Sequence, residues 1–276
     1  MRRPEESSEL PLPTGHSTMS PAMAKMQAYP WYLFRCVQAA VGTRVWEIGI
    51  GHGTYTRWLR ETGAHVLATD IDAECLTAVR ERFQDDSLVT TERVDLTDEA
   101  SVRAQYSFQA DSLICLNVLE HIEDDISALR WLKESVAPGA TMGIVVPAHP
   151  GLYGRMDAEA GHFRRYTRRS LRGAFEQAGW HVDRIRYINL LGAMGWWYHN
   201  RWRTEAGLKD ESVNRQMSGA DRWLPRIAAM TDPFCGWLAG LSVVAIARTP
   251  RLADGRCDSG SPINSQWRVS GACAES

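Results

Sequence analysis

The chain has 276 residues and a mass of 31.0 kDa, with 44% hydrophobic and 23% charged residues. This length allows one large domain or two small ones, with a core that needs no disulfide or metal for stability. The 31 basic and 33 acidic residues give a net charge of -2, which argues against nucleic acid as a partner.

The two ends of the chain differ in composition from its middle. Residues 1–22 and 250–276 are rich in small and polar residues without periodicity, which predicts disordered tails. Residues 23–249 alternate short apolar runs with amphipathic stretches. This pattern predicts one α/β domain built on a parallel sheet.

The predicted elements follow this alternation in chain order. Strands are predicted at 44–49, 64–70, 88–95, 112–117 and 141–146, with a closing pair at 180–187 and 241–248. Helices are predicted at 54–62, 73–83, 125–136 and 168–178. Residues 188–240 contain five tryptophans and predict a mostly helical insertion before the last strand. The expected fold is a doubly wound, seven-stranded, mostly parallel sheet.

The cysteines indicate in which cellular compartment the protein is expected. The apolar runs indicate whether it is expected to contact a membrane. The six cysteines form no C-x-x-C pair, which argues against a zinc site or a disulfide framework and favours a reducing cytoplasm. The longest near-apolar run, at 234–247, is shorter than the roughly 20 residues that span a bilayer. The first residues include no apolar signal segment. We therefore expect a cytoplasmic protein without a membrane partner.

A glycine-rich turn follows the first predicted strand, in the sequence V-W-E-I-G-I-G-H-G at 45–53. Gly49, Gly51 and Gly53 let the backbone approach a ligand where a Cβ would clash. The dinucleotide fingerprint G-x-G-x-x-G does not fit, because it needs glycine at position 54 or 56 and both are threonine. Glu47 would repel a pyrophosphate but suits a ligand with an ammonium or sulfonium group.

Polar residues also follow the next three predicted strands. Asp70 closes the second strand, where a doubly wound sheet places a carboxylate that holds ribose hydroxyls. Helix capping is an alternative role for Asp70 or for Asp72. Asp95 and Leu96 follow the third strand, where a carboxylate can meet an adenine amino group, and Asn117 ends the fourth strand beside the switch point.

Together, these features resemble the class I S-adenosylmethionine-dependent methyltransferases. The segment E-I-G-I-G-H-G at 47–53 is similar to the family's first motif, and T-D-I-D-A-E-C-L at 69–76 is similar to its second. The resemblance implies that S-adenosyl-L-methionine is the cofactor. It places the glycines at the methionine end, Glu47 at the amino-acid portion through water, Asp70 at the ribose and Asp95 at the adenine. The implied cofactor-binding residues are Glu47, Gly49, Gly51, Gly53, Asp70, Ile71, Asp95, Leu96 and Asn117.

A narrower resemblance covers about residues 25–249. The segments N-V-L-E-H-I-E-D-D at 117–125 and G-H-F-R-R-Y at 161–166 are similar to a bacterial subgroup of small-molecule and natural-product methyltransferases. This resemblance implies O- or N-methylation of a small-molecule acceptor in bacterial secondary metabolism.

Candidate catalytic groups follow the fourth and fifth strands. An oxygen or nitrogen acceptor that is protonated at neutral pH needs a general base. The candidates are His121, His149 and His162, with Tyr153 as a hydrogen-bonding partner of the acceptor. The alternative is that His121 packs on a turn and that Asp157 and its neighbours form a structural polar network.

Glu120 and His121 are similar to part of the E-x-x-E-H metal site of ubiquinone-pathway and small-RNA 2′-O-methyltransferases. The first Glu of that pattern is Asn117 here, so one hard oxygen ligand is missing. We therefore expect no metal.

A basic run follows the histidine-rich loop and consists of Arg164, Arg165, Arg168, Arg169 and Arg172. Arginine forks suit a carboxylate or phosphate on the acceptor. The alternative interpretation is a solvated helix start, with Arg165 joining Asp157 and His162 in a structural network.

Aromatic residues precede the first strand at 29–34 and recur in the insertion. They can form the walls of an acceptor pocket or belong to an ordinary core. Trp196, Trp197 and Tyr198 cannot all face one side of a helix, so at least one is expected at a pocket or an interface. A homodimer is compatible with this arrangement.

Two other functions compete with small-molecule methylation. Base-modifying nucleic-acid methyltransferases usually have an N/D-P-P-Y/F tetrad after the fourth strand, where this chain has N-V-L-E at 117–120. A protein of this fold can also use S-adenosylmethionine without methylation, for cyclisation, and the intact glycine and acid motifs do not exclude that use.

Overall fold

Seven strands form one mixed sheet in the computed structural model, which describes residues 22, 26–202, 207 and 210–251. The strand order is β3-β2-β1-β4-β5-β7-β6. The strands β1 to β5 pair in parallel, and β7 runs antiparallel to both β5 and β6. The strands are β1 (Arg44–Ile48), β2 (His65–Asp70), β3 (Val89–Arg93), β4 (Ser112–Leu116), β5 (Thr141–Pro147), β6 (His181–Ile188) and β7 (Ser242–Arg248).

Helices cover both faces of this sheet, as the doubly wound pattern predicts. Within the described residues, the α-helices are α1 (Ala28–Val37), α2 (Thr54–Glu61), α3 (Ala73–Arg82), α4 (Glu99–Arg103), α5 (Asp125–Glu134), α6 (Arg155–Glu159), α7 (Arg168–Gln177), α8 (Leu190–Trp202), α9 (Glu211–Ala220) and α10 (Leu224–Cys235). A 3₁₀ turn at Leu119–His121 follows β4.

The predicted fold class is confirmed, and every predicted strand and helix lies within two residues of its observed bounds. The helix α1 is not among the predicted elements, although its aromatic residues are ordinary core on one face, with Tyr32 and Phe34 buried. The helix α4, which has five residues and buries only Val102, is not among them either. So short an element has too few turns for apolar periodicity to show.

The core lies on both faces of the sheet. One face packs around Trp46 and Phe175, and the other around Phe34 and Leu59, all of them fully buried or nearly so. The central strand β4 is buried at every residue, which explains its continuous apolar run. Because both sides of the sheet are covered, the ligand-binding surface is confined to the ends of the strands.

The register of the central strands brings the predicted site residues to one edge. Ile48 in β1 pairs with Thr69 in β2 on one side and with Cys115 in β4 on the other. The residues that follow these positions, including Gly49 and Asp70, therefore lie side by side at the carboxyl ends of the strands. This edge is where open α/β sheets bind ligands.

The predicted insertion consists of α8, α9 and α10 between β6 and β7. Asp232 of α10 is buried and anchors the insertion, since it accepts hydrogen bonds from the Tyr32 hydroxyl and from the backbone N–H of Asn189. None of the helices among the described residues has the length and apolar character needed to cross a membrane.

Most of the two predicted tails lies outside the described residues. Ala22, at the end of the first, is buried, and its N–H donates to Asn214 at 2.9 Å. The predicted boundary at residue 23 therefore leaves out one residue that contacts α9. The domain boundaries themselves stay a prediction.

Candidate active site

A cavity of about 580 Å³ opens at the carboxyl ends of β1, β2 and β4. One part of its wall consists of the glycine turn and the residues that follow β2 and β3, and another part consists of the 3₁₀ turn, the loop after β5 and the insertion. We call the first part the donor half and the second part the acceptor half. The predicted residues that line the cavity are Gly49, Gly51, Asp70, Ile71, Asp95, Leu96, Asn117, His121 and His162.

The glycine turn uses its peptide N–H groups within the protein. Gly49 and Ile50 both donate to the carbonyl of Thr69, at 2.8 and 3.2 Å, and Gly51 donates to Asp70 Oδ2 at 3.1 Å. Gly49 has a φ of 74°, and a Cβ there would lie 2.3 Å from Val118 Cγ2. Glycine is therefore required at this position both by the backbone and by the packing of the β4 turn.

Gly53 has a packing role at the start of α2. It is the N-cap residue of α2 with a φ of 68°, and a Cβ there would lie 2.7 Å from Val79 Cγ2 on α3. It is not among the residues that line the cavity. The close packing of α2 against α3 explains the glycine at this position, and its contact with the cofactor stays a prediction.

Asp70 has the environment expected of a ligand-binding carboxylate. It is mostly buried at the end of β2, where Oδ2 accepts from Gly51 and Oδ1 accepts from the N–H of Asp72 at 3.0 Å. Burial raises the pKa of Asp70 above its ordinary value, and the two backbone N–H groups oppose that rise. The cap of α3 is Asp72, whose side chain accepts from Glu74 and Cys75. The carboxylate of Asp70 is therefore not used as a helix cap and can contact a ligand in the cavity.

The remaining donor-half residues end β3 and β4. Asp95 accepts from the N–H and the hydroxyl of Thr97 through one oxygen, at 2.8 and 2.7 Å. Asn117 has a left-handed φ of 55°, and its N–H donates to Val145 at 2.9 Å, which continues the β4–β5 ladder before the chain turns. These contacts fix two polar side chains at the wall of the cavity.

Glu47 is buried in β1 and is not among the residues that line the cavity, so its expected role toward the amino-acid portion of the cofactor, through water, stays a prediction. Neither carboxylate oxygen has a hydrogen-bond partner among the described residues. Burial raises the pKa of Glu47 to about 8. A carboxylic acid with this pKa is largely protonated at neutral pH, so it does not present a fixed negative charge to a ligand.

His162 and Asp157 form the polar centre of the acceptor half. Nδ1 of His162 lies 2.9 Å from Asp157 Oδ1, and the same oxygen accepts from Arg165 Nε at 2.8 Å. Asp157 and Arg165 are both buried. The expected alternative, a polar network of these three residues, is therefore present, yet His162 also lines the cavity. With Nδ1 engaged, Nε2 is the ring nitrogen left for a ligand.

Glu120 and His121 lie beside this pair. Nε2 of His162 is 4.0 Å from Glu120 Oε1, and the two imidazole rings are edge to face with centroids 4.7 Å apart. Burial raises the pKa of Glu120 to about 7, and burial lowers the pKa of His121 to about 4. His121 is therefore neutral across the physiological range and is a poor proton acceptor.

The donor atoms of Glu120, His121 and His162 all lie within 4.8 Å of one another, a spacing that can hold a metal ion. Both oxygens of Glu120 are buried without a hydrogen-bond partner among the described residues. His162 was not considered as a ligand when the absence of a metal was predicted, because it lies 41 residues further along the chain than His121. Sequence spacing gave no indication of this contact.

His149 and Tyr153 are not among the residues that line the cavity, and their catalytic roles stay a prediction. The ring of His149 stacks on Tyr187 at 4.5 Å, and its Nε2 accepts from the N–H of Gly240 at 3.4 Å. The hydroxyl of Tyr153 donates to the carbonyl of His162 at 2.7 Å. These contacts hold the loop in place. Of the three histidines proposed as bases, His121 and His162 line the cavity.

The basic run is mostly engaged within the protein. Arg164 contacts Asp125 at 3.2 Å, Arg168 lies over the Tyr187 ring, and Arg172 pairs with Glu176. Of the five arginines in the run, only Arg165 is among the cavity-lining residues, and Asp157 neutralises it. The arginine pattern therefore does not indicate an acceptor carboxylate or phosphate.

The acceptor half is otherwise apolar, with side chains from several separate elements. Trp196 is the member of its aromatic triplet that lines the cavity, while Trp197 and Tyr198 are exposed. The guanidinium of Arg165 lies 4.7 Å from the Trp196 ring centroid. The sequence analysis missed Met217, which comes from the polar helix α9 and gave no sequence signal. Other apolar residues here include Met156, Ala160, Phe163 and Leu241, and Tyr29 and Pro30 of α1 line the cavity as well.

A doubly wound sheet with such a cavity, and with carboxylates after β2 and β3, defines the class of S-adenosylmethionine-dependent methyltransferases. A family model described as a methyltransferase domain matches residues 26–185, more than half of the chain, and the chain belongs to that family. It is an enzyme, and S-adenosyl-L-methionine is its cofactor. The residues present fit this cofactor. The carboxylate of Asp70 can accept hydrogen bonds from its ribose hydroxyls, and the glycine turn allows the backbone to approach it closely.

Relatives and solved structures agree with this class. The ubiquinone biosynthesis O-methyltransferase of Xanthomonas campestris pv. campestris (strain B100) is 28% identical over 104 residues, which cover 38% of this chain and 43% of the relative. The chain thus matches less than half the length of these curated relatives.

Two solved structures show the same fold. Phosphoethanolamine N-methyltransferase 2 of Haemonchus contortus, in complex with S-adenosyl-L-methionine, has a TM-score of 0.53 at 18% identity, over 80% of this chain and 52% of that chain. The [4+2]-cyclase SpnF has a TM-score of 0.50 at 14% identity, over 79% and 78% of the two chains.

Proposed function

We propose that the protein methylates an oxygen or nitrogen atom of a small, largely apolar acceptor in bacterial natural-product metabolism, with His162 as general base. The observation that supports this most is the contact between His162 Nδ1 and Asp157 at 2.9 Å in the wall of the cavity. The match of 38% of the chain to an O-methyltransferase favours oxygen as the methylated atom.

The donor half would hold the cofactor. Asp70 would accept from the ribose hydroxyls, Asp95 would meet the adenine, and Asn117 would border the cofactor at the end of β4. Ile71 and Leu96 would add apolar contacts beside the two carboxylates. When bound, S-adenosyl-L-methionine supplies a methyl group that its sulfonium already activates for displacement.

The acceptor half would remove the proton. An acceptor hydroxyl or amine that donates to His162 Nε2 would pass its proton to this nitrogen. Asp157 would fix the ring tautomer and stabilise the imidazolium, as a buried carboxylate does beside a catalytic histidine. His121, neutral because of its burial, would form part of the wall.

The shape and polarity of the acceptor half favour an aromatic or aliphatic acceptor. Trp196, Met156 and Phe163 line it, and the one arginine there is paired with Asp157. An acceptor with a fixed negative charge would find no unpaired cation among these described residues. We therefore propose an uncharged acceptor in place of the carboxylate or phosphate expected from the arginine run.

The test is a labelling experiment with the full-length protein. Incubation with methyl-labelled S-adenosyl-L-methionine and bacterial extracts is expected to label a small organic molecule, which mass spectrometry then identifies. Label in nucleic acid would establish the competing nucleic-acid function. Donor binding by calorimetry without any labelled product, but with a rearranged acceptor, would favour cyclisation. An absence of donor binding would overturn the proposal altogether.

A further inference from the structure

Helix α10 buries one face in the protein and leaves the opposite face uncovered by any described residue. The buried face contains Pro225, Ala228 and Asp232, and Asp232 is held by Tyr32 and Asn189. Because these contacts fix the rotation of the helix about its axis, they also decide which residues face outward.

The outward face is a continuous apolar stripe. Trp223, Ile227, Met230, Phe234 and Trp237 are spaced by four, three, four and three residues, which places them along one side of a helical path. Leu238 extends the stripe beyond the end of the helix. Met230, Phe234 and Trp237 are 73%, 77% and 67% exposed. A contiguous apolar patch of this kind marks an interaction surface.

The exposed charges within the segment that carries the stripe have one sign, and the partly buried Asp221 just before it accepts hydrogen bonds from the backbone of Gln27, Ala28 and Tyr29. Between residues 222 and 240, all of which the structure describes, the basic residues are Arg222 and Arg226, and both are exposed. The one acid in this range is Asp232, which is buried. The exposed surface of this segment therefore combines large aromatic and aliphatic side chains with positive charge and no exposed negative charge.

We propose that this stripe docks α10 in the plane of a membrane surface that contains anionic lipid. An apolar helix face with tryptophan and phenylalanine, flanked by arginine, is the pattern of interfacial helices, and tryptophan prefers the headgroup level of a bilayer. The helix has 12 residues, so it is too short to span and is suited to lie in the plane. This departs from the absence of a membrane partner expected from the sequence.

A second copy of the chain fits the surface less well. A two-fold interface brings the same patch of both subunits together. The stripe would then bring Arg222 and Arg226 against the partner's copy of the same segment, residues 222–240, in which no acid is exposed. Anionic lipid headgroups supply the missing negative charge.

Docking of the stripe on a membrane would affect how the acceptor reaches the cavity. The same insertion contributes Trp196 and Met217 to the cavity, and Leu241 lies just beyond α10. Docking would therefore bring the acceptor half close to the lipid, from which an apolar acceptor can enter. This consequence rests on the proposed function, whereas membrane binding itself does not.

The experiment measures partition of the full-length protein onto sedimenting vesicles of phosphatidylcholine, with and without phosphatidylglycerol. We expect binding that is stronger with phosphatidylglycerol. The double variant Phe234→Ser/Trp237→Ser is expected to bind at least roughly tenfold more weakly, since it removes two side chains that would enter the bilayer. Arg222→Gln and Arg226→Gln should each weaken binding to the anionic vesicles about fivefold.

The matched control is Tyr106→Ser, which removes an exposed aromatic residue outside the stripe. It is expected to bind vesicles as the wild type does. Donor affinity, measured by calorimetry, should be unchanged in the double variant, which shows that the variant is folded and keeps the test separate from the proposed function. An absence of vesicle binding by the wild type, equal binding by the double variant, or a dimer that the double variant abolishes would each overturn the proposal.

Discussion

Nδ1 of His162 lies 2.9 Å from Oδ1 of Asp157, a carboxylate that is fully buried and that also accepts from Arg165. The arginine compensates the charge of the carboxylate, and the hydrogen bond to Nδ1 selects the ring tautomer in which Nε2 is free of a proton. This pair therefore combines a fixed orientation with a nitrogen available to an acceptor. The same three residues also stabilise the loop, so the catalytic role has to be separated from the structural one.

Replacement of His162 by glutamine is the direct test of that role. We expect kcat to fall by roughly 10²–10⁴-fold, the usual contribution of a general base, while the affinity for S-adenosyl-L-methionine stays close to that of the wild type. Glutamine retains a polar group that can still contact Asp157. Rate measurements with a saturating donor, together with calorimetry, give the two quantities.

The matched control for this prediction is His181→Gln, since His181 is a largely exposed histidine at the start of β6. It should retain full activity. A His162→Gln variant with unchanged kcat would show that the enzyme acts by positioning the acceptor alone, and that the contact with Asp157 serves only the loop.

Removal of divalent metal distinguishes a base from a ligand at the same residue. Glu120, His121 and His162 are close enough to share an ion, whereas the general-base proposal needs none. We expect the enzyme to keep its activity after treatment with a chelator and gel filtration. Loss of activity that Mg²⁺, Mn²⁺ or Zn²⁺ restores would instead assign His162 as a metal ligand.

Asp70→Asn is expected to weaken donor binding about tenfold or more, because it removes the charge from two hydrogen bonds that ribose hydroxyls would donate. The asparagine can still accept from the N–H of Gly51, so the turn should be preserved. Calorimetric titration with S-adenosyl-L-homocysteine measures the change. Asp85→Asn, at an exposed position after α3, is the control; equal affinity in both variants would remove the ribose assignment.

The donor half was predictable because it depends on chain order. In a parallel sheet the residues after β1 and β2 must meet at one edge, so Gly49 and Asp70 could be placed from the sequence alone. The hydrogen bonds that these residues make could not be predicted from the sequence. The N–H groups of the turn donate to Thr69 and Asp70, an arrangement that depends on register.

The acceptor half was less predictable because its contacts join distant parts of the chain. His149 and His162 look alike in sequence, and only the contact of His149 with Gly240, 91 residues away, assigns it to the structure of the loop. The arginine run had the same ambiguity, since its partners Asp125 and Asp157 are recognised only after folding. Met217 reaches the cavity from a polar helix without any periodic signal.

The burial of Glu47 predicts a pH dependence of stability. Its pKa is about 8 in the folded protein, well above the ordinary value of about 4.3 in an unfolded chain. Between these two values the folded protein holds a proton that the unfolded chain has released. The free energy of unfolding should therefore fall as the pH rises through this window, with the full penalty present above the folded pKa.

Glu47→Gln keeps the shape of the side chain but cannot ionise, so it should remove this contribution. We expect the variant to gain stability relative to the wild type as the pH rises, when denaturant midpoints are compared between about pH 5 and pH 9. The control is Glu92→Gln, at an exposed position on the edge strand β3. Parallel stability curves for the wild type and Glu47→Gln would mean that the buried carboxyl ionises at its ordinary pKa, with water or a cation beside it.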